Sequence, residues 1–160
     1  MFREVNGLPG HILVIHAAVV LVPLLALLSV AYGVLPRWRT RFGWAVAALS
    51  VLTPIVAWVS TESGEALEEA LEKRGYPPEG LQKIHEHSEY GETLLWLVVG
   101  LAVASLVLLA VTSGHERVRR LPTWLPWALT AVVAVLAVFA LVYVYLTGDS
   151  GAKMVWSNIV

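Results

Sequence analysis

Four stretches of this chain, 12–35, 44–60, 93–111 and 125–147, contain no lysine, arginine, aspartate or glutamate. A helix needs about 20 apolar residues to cross the hydrocarbon core of a bilayer, and only a helix or a closed barrel satisfies its own backbone polar groups there. These runs therefore predict an all-α, integral membrane four-helix bundle forming one domain over 1–160. With 58% hydrophobic and 14% charged residues, the composition is too apolar for an ordinary soluble domain. The first run reads as a retained span and not a cleaved leader, because Arg3 is balanced by Glu4 and the run is longer than a leader's.

The charges expelled from these runs are unevenly placed. Residues 60–92 hold nine of the twelve acidic residues, with only Lys73, Arg74 and Lys83 to balance them. The Ala/Leu/Glu-rich sequence from Glu62 to Lys73 has high helical propensity and predicts that the second helix runs on past the membrane surface. Gly75, Pro77 and Pro78 then break it. The helix resumes at Leu81, so the expected helices span 12–35, 44–73, 81–112 and 125–147, the middle two extended beyond the membrane as an acidic hairpin. Pro23 and Pro54 lie inside spans, where each removes a helical hydrogen bond and bends the helix. The residues after Thr147 read as a loop.

Two short turns, 37–41 and 117–120, carry three arginines each. The excess of Lys and Arg in cytoplasmic loops puts both inside, which sends the hairpin and both termini to the periplasm or cell exterior. Trp38, Trp44, Trp124 and Trp127 fall where interfacial aromatic anchors belong. The chain has no cysteine, which excludes disulfides, thiolate metal sites, iron–sulfur clusters and c-type haem attachment.

At a rise of about 1.5 Å per residue, His16, Glu62 and Glu92 fall roughly 28 to 30 Å above the basic-turn ends of their helices. His11, Glu65, His87 and Asp149 form a second layer at roughly 33 to 37 Å. An ionisable residue inside a span is by default functional, which singles out His16. On the third helix His85, Glu89, Glu92 and Trp96 share one face, and His87, Gly91, Leu94 and Val98 share another. About 200° separates the two faces, so His85 and His87 cannot both point inward. Gly91, one turn from His87, gives the His87 face room for a bulky group.

The opening 8–16, with its His11 and His16, the Gly64-Glu65-Ala66 after the second span, the Glu-His-x-Glu-x-Gly-Glu of 86–92 and the Gly-x-Lys-x-Val-Trp of 151–156 resemble an uncharacterised bacterial four-helix membrane family. That family's first span reads H-P-x-x-V-H-F-P, and the resemblance covers essentially the whole chain. Ile12 stands where the family has proline, and Ala17-Ala18 replaces Phe-Pro. The resemblance implies a multi-pass protein of the bacterial inner membrane and, through fusions to cytochrome c or Rieske modules, a role in membrane electron transfer.

Three functions remain open. A haem b electron-transfer protein would hold its iron between two neutral imidazoles near the outer face, His87 opposite His16 or His11, with a quinone or redox protein as partner. A divalent metal site (Zn, Fe or Mn) would draw on His11, His16, His87, Glu62, Glu65 and Glu92, although the Glu-x-x-His signature of bundled di-metal sites does not occur. A cofactor-free scaffold subunit would use the acidic hairpin to dock a cationic partner. The other expected partners are lipid and, as an open alternative, a second copy of the chain. No phosphate loop, nucleophile elbow or zinc-protease motif occurs, and the outer face is not basic enough for nucleic acid.

Overall fold

The structure, a computed structural model, describes residues 10–114 and 121–156, with side chains over 14–114 and 121–154. The arginine turn at 117–120, His115 and the side chain of His11 lie outside the described residues. Four α-helices make up the fold: α1 (Gly10–Val34), α2 (Arg39–Lys73), α3 (Pro78–Val111) and α4 (Leu125–Trp156), with a 3-10 turn at Pro36–Trp38 between the first two. All four are long and apolar enough to cross a membrane.

Short connections force consecutive helices to run antiparallel. Each of the pairs α1/α2, α2/α3, α3/α4 and α1/α4 packs along its length, while α1 and α3 touch at few places. The cross-section is thus a square, with α1 and α3 on one diagonal. Val22, Leu25, Val46, Val98, Leu101, Leu108 and Val133 fill its centre, together with the small residues Ala26, Ala57, Ala102, Ala137 and Ala140. Small interfacial residues let backbones approach closely, which is how helices associate in lipid, where hydrophobicity supplies no preference between neighbours. The outer surface is apolar too: Val20, Leu27, Trp44, Trp96, Val138 and Tyr145 are each at least 60% exposed, as a lipid-facing surface requires.

The basic-turn end is closely tied. Arg39 donates from Nε and Nη2 to the carbonyls of Tyr32 and Gly33 at 3.2 Å, covering acceptors that the end of α1 leaves unpaired. The Tyr32 hydroxyl reaches Thr112 Oγ1 of α3 at 2.6 Å. At Gly33 α1 packs tightly on α4: a Cβ there would lie 2.5 Å from Thr130 Cγ2.

At 35 and 34 residues, α2 and α3 are each about 50 Å long, some 20 Å more than the hydrocarbon core. Their excess forms the hairpin. Gly75, at φ +72°, ends α2 with the Tyr76 N–H donating to the Leu71 carbonyl at 3.1 Å and the Gly75 N–H to that of Glu72 at 3.0 Å. This is the pairing of a left-handed helix cap, which explains the glycine. Pro78 opens α3 instead of merely ending α2, since the first helical position needs no N–H.

Helices α2 and α3 begin a few residues earlier than the sequence reading has them, and the largest departure is at the end of α4. α4 does not stop at Thr147 but continues as helix to Trp156, through Gly148 and Gly151. Packing against the extension of α3 overrides the low helical propensity of glycine, and the Lys153 to Asp149 pair at 2.7 Å adds a bridge one turn apart.

Candidate functional site

The two faces of α3 go to different surroundings. His85, Glu89, Glu92 and Trp96 are all exposed, and His85 lies beside α2, its Nδ1 3.4 Å from Glu68 Oε1 and its Nε2 3.7 Å from Glu89 Oε1. His87 turns the other way: below it on the same face Leu94 and Val98 are buried in the core, and its ring is half-buried against α4.

The partners of His87 come from the part of α4 beyond Thr147. Its Nδ1 lies 2.8 Å from Ser150 Oγ, and Ser150 Oγ donates to the Thr147 carbonyl at 3.1 Å. A hydroxyl has one proton. If that proton goes to Thr147, Ser150 accepts from His87, which puts the hydrogen on Nδ1 and leaves the lone pair on Nε2. The imidazole packs flat on Gly151, where a Cβ would come within 3.1 Å of Cε1. On the α3 side, a Cβ at Gly91 would meet nothing within 4 Å. Below the site Tyr90 and Tyr143 make an edge-to-face contact at 6.3 Å, fixing α3 against α4.

His87 sits above the apolar run of α3, which begins at Thr93. Burial lowers its pKa from the ordinary histidine value, and a hydrogen bond to the Thr147 backbone pushes it partly back. The ring is therefore neutral at physiological pH, and its tautomer is set by the bond at Nδ1. A neutral imidazole oriented through one nitrogen, with a lone pair on the other, is the usual form of a histidine that ligates a metal.

The other expected site residues do not gather around it. Glu62, Glu65 and Glu92 are exposed, and among the described residues no three His, Asp or Glu side chains stand close enough together to hold a metal ion. His16 is exposed on α1. Ser150, Thr147 and Gly151 are the residues that the sequence reading missed. Their signal is the inward stripe of α4, Thr130, Val133, Ala137, Ala140 and Val144, whose alternating steps of three and four continue through Thr147 to Gly151.

The fold and this site define a multi-pass four-helix membrane protein with an oriented histidine at its hairpin end. Over residues 7–160 the chain matches the model of a family described as "Predicted membrane protein (DUF2231)", and it belongs to that family. No curated protein and no solved structure matches it.

Proposed function

We propose that this protein binds haem b at the hairpin end of the bundle and passes electrons there, with Nε2 of His87 as one iron ligand and His16 or His11 of α1 as the other. The observation that supports the reading is the half-buried His87 ring held at Nδ1 by Ser150 at 2.8 Å; with the hydrogen on Nδ1, Nε2 keeps its lone pair for a metal. That donor suits haem iron, and α4, which bears Ser150, packs against both α1 and α3. Bound haem supplies the one-electron chemistry. The protein contributes the ligand's orientation, through Ser150, and space beside it, at Gly91. A divalent metal has less support, because its carboxylate ligands are exposed and apart.

The redox partner on this reading is a quinone or a cationic protein. Glu62, Glu65, Glu69 and Glu72 are exposed on the α2 arm of the hairpin, and Glu79, Glu86, Glu89 and Glu92 on the α3 arm. Such a field accelerates encounter with a positive surface and weakens as salt rises. The test is the absorption spectrum of detergent-purified protein before and after dithionite. A Soret band with sharpened bands on reduction, lost in His87→Ala, is expected. Protein that stays colourless after haem reconstitution overturns the proposal.

A further inference from the structure

The centre of the membrane span holds polar groups that the haem reading does not use. Ser29 and Ser105 are buried at 0% and 1% exposure and hydrogen-bond at 2.9 Å across the diagonal between α1 and α3. On α2, Ser50 and Thr53 are 3% and 0% exposed, and neither Ser50 Oγ nor Thr53 Oγ1 has a hydrogen-bond partner among the described residues. The two share a helix face, three residues apart. Pro54 follows at once. Proline has no N–H, so it gives nothing to the carbonyl four residues back, which is that of Ser50.

The levels match. A Cβ at Gly43 would touch both the Tyr32 ring and Leu109, at 3.6 and 3.7 Å, which sets α2 in register with α1 and α3. Counting upward from that level at about 1.5 Å per residue, Ser105 lies roughly 6 Å up, Ser50 roughly 10 Å and Thr53 roughly 15 Å. Ser29 shares the level of Ser105 through their bond. The Ser50 carbonyl points along α2 toward Thr53. A carbonyl without its helical donor and two hydroxyls without partners thus converge just above the Ser29–Ser105 pair. In hydrocarbon each such group is costly until something bonds to it.

We propose that α2 here is a binding site for a water molecule, held by the Ser50 carbonyl and the Ser50 and Thr53 hydroxyls above the level of the Ser29–Ser105 pair. A buried water takes two to four polar partners, which this layer supplies. The guest is neutral: the four apolar runs contain no carboxylate, so a cation here would lie uncompensated in the membrane interior. The water completes the hydrogen bonding that Pro54 interrupts within α2.

The experiment is brief X-ray radiolysis of the purified protein in lipid nanodiscs, with oxidised side chains read by mass spectrometry. Bound water yields hydroxyl radicals that oxidise its neighbours. Leu25 and Leu101, both fully buried at this level, are expected to be labelled, while the equally buried Leu108 near the basic turn is not. Thr53→Val keeps the volume and removes a partner, and Pro54→Ala returns an N–H to the Ser50 carbonyl; each is expected to reduce labelling of Leu25 and Leu101. Wild-type protein with Leu25 and Leu101 no more labelled than Leu108 overturns the proposal, whether or not the variants fold. Thermal stabilisation by sodium over choline chloride that is lost in Thr53→Val overturns it as well, by making the guest a cation.

Discussion

The two ends of the bundle treat their polar side chains in opposite ways. At the basic-turn end two polar side chains tie helices together, Arg39 on the carbonyls of α1 and Tyr32 on Thr112, while Thr130 bonds its own helix at Pro126 and packs against Gly33. At the hairpin end α3 and α4 overshoot the membrane together, and His87 uses one nitrogen on Ser150 while the space beside Gly91 stays open. The first arrangement fixes register. The second orients an imidazole beside open space, and it is there that the proposed function is placed.

The largest effect that separates the ends is expected from His87→Ala. It should abolish the haem spectrum and leave the thermal midpoint of the apoprotein near wild type, because the ring is only half-buried. Gly33→Ala should do the reverse. Its new Cβ would meet Thr130 at 2.5 Å, and overpacking of this kind costs about 1–3 kcal/mol. Thermal melts in detergent measure it, and adding Thr130→Ala should recover part of the loss, since the clash is chiefly with the Thr130 methyl and hydroxyl.

Ser150→Ala removes the acceptor that orients His87. Loss of such an outer partner typically weakens metal affinity about 10- to 100-fold, and a haem titration of the variant should show a weakening of that order. Gly151→Ala is subtler. Alanine gains about 0.5–1 kcal/mol of helical stability over glycine, but its Cβ would press on His87 Cε1 at 3.1 Å. The two effects oppose each other, so the melt should barely move while the haem bands shift. Tyr32→Phe, at the other end, should cost about 0.6 kcal/mol, the average for an interhelical hydrogen bond in a membrane, and leave the spectrum unchanged.

The sequence makes the number of helices and the hairpin legible, because each rests on one strong physical constraint: lipid excludes charge, and Gly75 with Pro77 and Pro78 breaks a helix. The inward face of His87 was readable from its spacing to Leu94 and Val98. The end of α4 was not, because Gly148, Ser150 and Gly151 look locally like a loop, and only their packing on α3 makes them helix. Without that helix, Ser150 has no visible relation to His87, more than sixty residues earlier in the chain. Pairing between distant segments is information that local propensity does not contain. The layered carboxylates show the limit of depth taken alone. Helix rise gives a residue's depth, but Glu62, Glu65 and Glu92 share a depth with histidines while pointing away from the core.

The most direct test of the central claim is a haem titration of three apoproteins side by side: wild type, His85→Ala and His87→Ala. The two histidines are neighbours in sequence on opposite faces of α3, so composition and overall charge change equally in the variants. The account predicts a saturating Soret shift in wild type and His85→Ala and none in His87→Ala. Equal binding by His85→Ala and His87→Ala, or loss in His85→Ala alone, would contradict it.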